Sequence, residues 1–368
     1  MIAGIPLTVL GGAAAWLFAA GTALTGHASV SAAFVACAGL LLAAVGSAVV
    51  RRDGPLGVVA IFLAVHAAAI PLMLHVDSAP GEMDGAYWSL LVSAWLMAWT
   101  SVSRLAALSR TLPTGGRRAL DLLIPLIFGL WLMLIWEAVT RGAGVPQVLL
   151  PAPSAIWAKL TASVPILWAD FVQTFLKAVI VGYALGCSIG FGTAILVDRS
   201  PFLKRGLVPV GNMVSALPII GVAPIMVMWF GFDWHSKAAV VVIMTFFPML
   251  VNTLEGLSAS SAMQRDLMRT YAASYGQTLW KLRLVEALPF VFNALKINST
   301  LALIGAIVAE FFGTPIVGMG FRISTEVGRM NVDMVWAEIA VAALAGSAFY
   351  GALVLIERAL TFWHPSNR

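Results

Sequence analysis

An all-α integral membrane protein of about ten transmembrane helices is the fold that this 368-residue sequence predicts. Three observations carry the prediction. Charged residues make up 11% of the chain, against roughly 25% in soluble domains, while 60% of residues are hydrophobic and the mean hydropathy is +0.93. Apolar runs of about 20 residues, the length that crosses a bilayer, recur along the chain. Lys and Arg collect in alternate loops, as positive-inside topology requires.

The elements follow in order. Ile5–Leu24, Val30–Val50, Pro55–Leu74 and Ala86–Leu108 are the first four spans. No basic n-region precedes the first run and further apolar segments follow it, so it reads as a retained span and not as a signal peptide. Residues 1–112 form one Ala-rich block, 113–120 a polar cytoplasmic linker, and 121–368 a second block. The second block holds Leu122–Val139, Phe175–Val197, Leu207–Phe230, Ala238–Leu257, Phe290–Ala309 and Trp336–Ile356. Pro218 and Pro224 are expected to kink or break the run Leu207–Phe230. The stretch from Leu150 to Trp157 is too polar and Pro-rich to span. It is expected to be an external loop with an interfacial helix, anchored by Trp157 and Trp168.

With the N-terminus cytoplasmic, fifteen Lys and Arg residues between Arg51 and Arg368 fall in inside loops. Only Arg141, Lys159, Lys237, Arg322 and Arg329 fall outside. The bias places both termini and the stretch Arg265–Pro289 in the cytoplasm, and the acidic loop Asp77–Asp84 outside. It also accounts for the net charge of +5, so no nucleic-acid partner is implied.

Catalytic classes find little support. Cys37 and Cys187 lie within apolar runs, and the five His are scattered. There is no phosphate loop, no H-E-x-x-H and no zinc spacing, so no enzyme site, metal or cofactor is expected in this chain. Glu137, Lys177, Glu255, Lys296, Glu310 and Glu357 are placed near span ends, where snorkelling offsets a burial cost of about 2.5–3.5 kcal/mol. No charge pair within the membrane is expected. Glu310 has either an interfacial structural role or a pathway role. Pro218, Asn252, Asn293, Asn298 and Thr300 either line a pathway or serve interhelical packing and hydrogen bonding. Gly182, Gly186 and Gly190 let helix backbones approach closely, inside one subunit or between two.

The stretch Arg265–Pro289 is the most polar long segment. Met263, Leu267, Tyr271, Tyr275 and Leu279 recur every fourth residue, which predicts an amphipathic helix, with Gly276 as a place to turn. Such an element on one side of a membrane protein is presented to a partner.

From Leu150 onward the chain resembles the permease subunits of ABC importers of the nitrate/sulfonate/taurine/bicarbonate type. Leu150-Pro-Ala-Pro-Ser resembles the family's external Leu-Pro-Ser-Pro. Ala216-Leu-Pro-Ile, Ala223-Pro-Ile-Met-Val-Met-Trp-Phe-Gly and Phe246-Phe-Pro-Met-Leu-Val-Asn-Thr resemble its third and fourth core helices, and Gly318-Met-Gly320 its Gly-x-Gly before the last span. The opening of the polar stretch is similar to the cytoplasmic EAA loop. Asp266 falls on its Glu, Leu267 and Met268 on its two Ala, and Ala272 on its Gly, while Ala273, Ser274 and Gln277 match. Val285 stands where a Pro is usual, and Leu288-Pro289 keeps the second Leu-Pro.

The resemblance implies a six-helix type I importer core preceded by about four extra helices. It implies a coupling loop over 260–289 that docks in a groove of a separate ATPase subunit. Its coupling residues would be Arg265, Asp266, Leu267, Met268, Arg269, Tyr271, Ala272, Ala273, Ser274, Tyr275, Gly276 and Gln277. Tyr and Met would fill the groove, with Arg at the rim. ATP and magnesium would sit on the ATPase, a periplasmic binding protein would deliver the solute, and two permeases would pair in the bacterial inner membrane. The family's solutes are small anions or vitamin-related heterocycles, and the runs Tyr271–Ser274 and Gly305–Phe312 incline toward the heterocycle branch. The alternative is an ion-coupled secondary transporter, which would carry an inverted repeat and midplane ion sites.

Overall fold

The computed structural model describes residues 55–363, apart from positions 79, 84, 111–112, 216–217 and 314–315. The expected spans Ile5–Leu24 and Val30–Val50 lie outside the described residues. All described elements are helices, and they fall into two compact units that divide between Ala155 and Ile156.

In the first unit, α1 (Pro55–Ser78), α2 (Gly85–Ser109) and α3 (Thr114–Gly142) share a core of Val65, Leu72, Leu90, Ala94, Ile127 and Trp131. Two expectations change here. Residues 114–120, expected as linker, are the first turns of α3. And α3 belongs with the first block, because Ile127 and Trp131 are buried in that shared core. Its other face exposes Leu122, Leu126 and Leu130, which hydrocarbon would cover at no desolvation cost. At one end Arg141 bridges Glu137 at 3.3 Å and Asp77 at 2.5 Å, and its carbonyl accepts the Gly81 N–H at 2.8 Å.

In the second unit, α4 (Pro153–Ala162) precedes α5 (Val164–Phe171), a π-helical stretch (Val172–Val179) and α6 (Ile180–Arg199). The last three run unbroken from Val164 to Arg199. This span begins well before the expected Phe175, because Asp170, Gln173 and Thr174, which lower local hydropathy, point into the protein and not toward lipid. Trp157 and Trp168 are exposed, as interfacial anchors would be. The break expected near Pro218 separates α7 (Pro201–Ser215) from α8 (Ile219–Phe230), with Pro218 as the α8 N-cap, whereas Pro224 is absorbed within α8. Then follow α9 (Trp234–Ser258), α10 (Ala262–Thr270), α11 (Tyr275–Thr278), a second π-helical stretch (Leu279–Arg283), α12 (Leu284–Glu310), α13 (Met319–Gly328) and α14 (Val332–Leu360). Six segments among the described residues are long and apolar enough to cross a membrane: Leu90–Ala107, Gly115–Gly142, Val164–Arg199, Trp234–Ser258, Tyr275–Glu310 and Val332–Leu360.

Helix α9 is the centre of the second unit, packed on α6 and α12. The glycine series of α6 supplies the seam. A methyl group on Gly182 would stand 2.7 Å from the Ala238 carbonyl, one on Gly190 2.6 Å from that of Phe246, and one on Gly186 would collide with Thr245. The series is therefore used inside one subunit, and backbone meets backbone where lipid offers no hydrophobic drive for association. Helix α12 is pinned to this pair by Asn298, which donates to the Thr245 carbonyl at 2.8 Å, and by the Tyr183 hydroxyl, which donates to the Leu295 carbonyl at 3.1 Å. Lys296 and Glu357 join α12 to α14 at 2.8 Å, with side chains 20% and 14% exposed. This ion pair joins the two helices near the C-terminal end of α14, where Glu357 was expected. One-to-one pairing is what lets both charges be tolerated there.

Candidate functional site

The two ends of α9 carry the polar chemistry. At its C-terminal end the chain leaves the bundle and forms the loop that holds the predicted coupling residues. Ser261 caps α10 by accepting the Gln264 N–H at 3.2 Å, and the Gln264 side chain accepts the Ser261 N–H at 2.7 Å. The same reciprocal box is built from Ser274 and Gln277 at the start of α11, at 3.3 and 2.8 Å. Each box satisfies two N–H groups that a helix start leaves open, so both short helices are fixed locally.

One continuous amphipathic helix does not form. Helix α10 ends at Thr270 and the chain turns at Ala272, whose φ is +51°. Gly276, the expected turn, lies inside α11 instead. Ala272 occupies the position that carries Gly in the resembled loop, and a residue with a Cβ is strained there by about 1–2 kcal/mol. The break splits the four-residue stripe: Met263 and Leu267 sit on α10, Tyr271 on the turn, Tyr275 on α11, and Leu279 is buried beneath. Met263, Leu267 and Tyr271 are 83%, 56% and 77% exposed. Asp266 and Arg269 pair at 3.2 Å on the open surface, and Arg265 turns back onto Ser260. Met268 and Ala273 are half-buried, and their backbones are joined by the Ala273 N–H to Met268 carbonyl bond at 3.0 Å.

A largely buried ion pair ties the loop to the bundle. Arg283 donates Nη1 and Nη2 to the two oxygens of Asp198, at the end of α6, at 2.7 and 2.8 Å. Its Nε donates to the Leu257 carbonyl at the end of α9 at 2.8 Å, and the Tyr275 hydroxyl donates to Asp198 at 3.1 Å. Sequence reasoning assigned no role to Asp198 or Arg283. They lie 85 residues apart, and only folding brings them together.

At the N-terminal end of α9 a second polar cluster lies inside the protein. Helix α13 begins with three N–H groups, and each has a dedicated acceptor. Gly318 donates to Asp170 at 2.6 Å, Met319 to Thr174 at 2.8 Å and Gly320 to Glu310 at 2.7 Å. Thr174 passes its own hydroxyl hydrogen to Glu310 at 2.8 Å, and Arg322 bonds the second oxygen of Asp170 at 2.8 Å. Negative groups at a helix N-terminus are favoured by the dipole as well as by the open N–H groups. The two glycines of Gly318-Met-Gly320 are sterically required. Gly318 has φ +144°, a Cβ there would meet the Glu310 carboxylate at 2.7 Å, and one on Gly320 would collide with the Ile307 carbonyl. Burial alone would lower the Arg322 pKa, but the hydrogen bond and charge of Asp170 hold it above its ordinary value.

Lys237, expected in an outside loop, is buried and donates to the carbonyls of Phe232, Asp233 and Gly313, closing two loops over the cluster. Asp233 caps α9. The Trp234 N–H and the Gln173 amide hold its carboxyl below the usual carboxylate range. Glu338 of α14 is also fully buried beside Asp170 and Arg322.

The pathway candidates scatter. Glu310 is 2% exposed within the cluster just described, and Asn298 is wholly buried between α6, α9 and α12. Asn252 accepts from Asn293 at 3.3 Å on the more open side of α9 and α12, and Pro218 is exposed. The structure therefore does not gather the four candidates at one place. Among the described residues, no group of His, Cys, Asp and Glu could hold a metal ion.

Comparison with known proteins adds to this geometry. Residues 182–362 match the family model of the binding-protein-dependent transport system inner membrane component. The chain is 32% identical over 251 residues to the formylaminopyrimidine transport permease protein of Halalkalibacterium halodurans, an alignment covering 68% of this chain and 100% of that one. It is 30% identical over 243 residues to the riboflavin transport system permease protein of Chloroflexus aurantiacus, covering 64% and 88%. To the taurine transport system permease protein of Escherichia coli it is 25% identical over 240 residues, covering 63% and 86%. A glycine-welded helical bundle, an apolar composition and a match along the whole of a relative lead to one family: the chain belongs to the binding-protein-dependent transport system inner membrane components, the permeases of ABC importers.

Proposed function

We propose that this chain is the pathway-forming subunit of an ATP-driven importer and that the loop 260–289 couples it to a separate ATPase. The observation that carries the reading is the surface of that loop. Three large side chains, Met263, Leu267 and Tyr271, stand exposed on α10 and the turn that follows it, between two capping boxes that fix the loop. A preformed apolar knob suits a groove in a partner, because little ordering remains to oppose docking. ATP and magnesium belong to that partner, whose closure moves the loop and switches the pathway between outward and inward access. Two copies of the permease would enclose the pathway, with Pro218, Asn252 and Asn293 as candidates to face it. A periplasmic binding protein would deliver the solute. Both termini would lie in the cytoplasm of a bacterial cell, and residues 1–112 would serve as an accessory block.

For the solute we favour a vitamin-related heterocycle. The relatives named for formylaminopyrimidine and riboflavin transport share 32% and 30% identity, against 25–28% for those named for taurine, bicarbonate and aliphatic sulfonates. Reconstitution with the ATPase and binding protein tests the reading. Uptake of a labelled aminopyrimidine into liposomes should require ATP and survive an uncoupler. Uptake that collapses with the uncoupler while ATP is held constant points instead to the ion-coupled carrier. Recovery of no ATPase with the permease from native membranes would sink the coupling role.

A further inference from the structure

Force applied to the loop has to reach the bundle through whatever joins them, and the joint is narrow. Gln264 Nε2 touches Glu286 at 3.2 Å, and Leu279 packs with Leu257 and Ala287 in a small apolar cluster. The strong polar connection is Arg283. Its guanidinium holds three acceptors at once: both oxygens of Asp198 and the Leu257 carbonyl. Asp198 ends α6 and Leu257 ends α9, the two helices fused by the glycine seam. The carbonyls of a last helical turn have no partner within the helix, so Leu257 offers a free acceptor where Arg283 arrives. The pair is shielded, with the Asp198 and Arg283 side chains 6% and 16% exposed, so water does not compete for it. Arg283 closes the π-helical stretch Leu279–Arg283, whose extra residue per turn departs from the helix on either side. Tyr275 adds a fourth tie: its hydroxyl bonds Asp198 at 3.1 Å while the Arg199 guanidinium lies 5.6 Å from its ring centre. One residue of the exposed loop is thereby fastened to the same carboxylate.

We propose that Asp198 and Arg283 are the positioning residues of energy coupling, the joint through which displacement of the loop turns α6 and α9 as one body. The proposal rests on the loop being the ATPase dock, and the test separates the two. The reconstituted importer is assayed for ATPase binding by the permease, for ATP hydrolysis and for solute molecules moved per ATP. Linked sites of this kind are coupled by about 5–150-fold, so Asp198→Asn is expected to lower solute moved per ATP by roughly tenfold while ATPase binding stays within about twofold of wild type. The double exchange Asp198→Arg with Arg283→Asp should recover a large part of that loss. Should Asp198→Asn fail to reach the membrane, Arg283→Lys keeps the charge and loses only the two-pronged geometry, and about a threefold drop in the same ratio is expected. An unchanged ratio in a variant that still binds the ATPase overturns the joint and leaves the dock standing. Failure of the wild-type permease to bind the ATPase overturns both. A variant that merely lowers the amount of assembled importer, with solute moved per ATP unchanged, also overturns it.

Discussion

The two ends of α9 are built on opposite rules. At its N-terminal end, charged and polar side chains are drawn inside and given several partners each: Asp170 with Arg322 and Gly318, Glu310 with Thr174 and Gly320, Lys237 with loop carbonyls. At its C-terminal end, apolar side chains are pushed out and left uncovered by the described residues: Met263, Leu267 and Tyr271. At the first end Asp170, Glu310 and Lys237 each meet partners within the same subunit, which offsets the cost of burying them, while the two oxygens of the buried Glu338 accept no hydrogen bond among the described residues. The second has its backbone satisfied by two capping boxes and leaves its side chains to be covered by something else. The contrast teaches how one bundle can be firm at one face and receptive at the other.

Three variants probe the contrast, the largest effect first. Asp170→Ala strands the Arg322 guanidinium and the Gly318 N–H in a buried place, and breaking such a pair costs about 3–5 kcal/mol. Thermal unfolding of the detergent-solubilised protein should show it, and a loss below about 1 kcal/mol would mean that this end is not self-contained. Replacing Met263, Leu267 and Tyr271 together by Ser should leave unfolding within about 0.5 kcal/mol of wild type. The same triple variant should weaken ATPase binding by about 2 kcal/mol, or roughly 30-fold in Kd. A triple variant that unfolds early while binding normally would reverse the assignment of the two ends. Ala272→Gly is the mildest. It relieves a φ of +51°, should stabilise the turn by about 1 kcal/mol, and is best read as slower hydrogen exchange across residues 271–275.

Much of the fold could be read from local signals, because a lipid-facing helix must be apolar on the outside whatever it packs against. The span at Trp234–Ser258 and the polar segment that follows it were visible for that reason. What could not be read depends on partners distant in the chain. Asp170 and Arg322 are 152 residues apart, so the sequence offered one polar residue in a supposed loop and another in a second. Lys237 looked like an exposed outside charge because nothing local reveals that Gly313, 76 residues on, would offer it a carbonyl. The start of the long helix at Val164 was hidden by Gln173 and Lys177, whose polarity reads as solvent although Lys177 bonds Gln173 at 3.1 Å. The Gly318-Met-Gly320 motif was the one local trace of the buried cluster, since close approach of backbone to a carboxylate leaves no room for a Cβ. The turn was expected at Gly276 because glycine is the usual residue for positive φ, whereas Ala272 takes it at the expense of strain.

The glycine seam between α6 and α9 limits how such a transporter diversifies. At Gly182, Gly186 and Gly190 the room for a side chain is already filled by the neighbouring helix, so those positions leave almost no choice of residue. Relatives with 25–32% identity nonetheless carry names for solutes as different as riboflavin and taurine. A side chain added at the seam would have to push α6 and α9 apart, so residues can be exchanged freely only on surfaces away from it, and the seam acts as a fixed chassis within this chain.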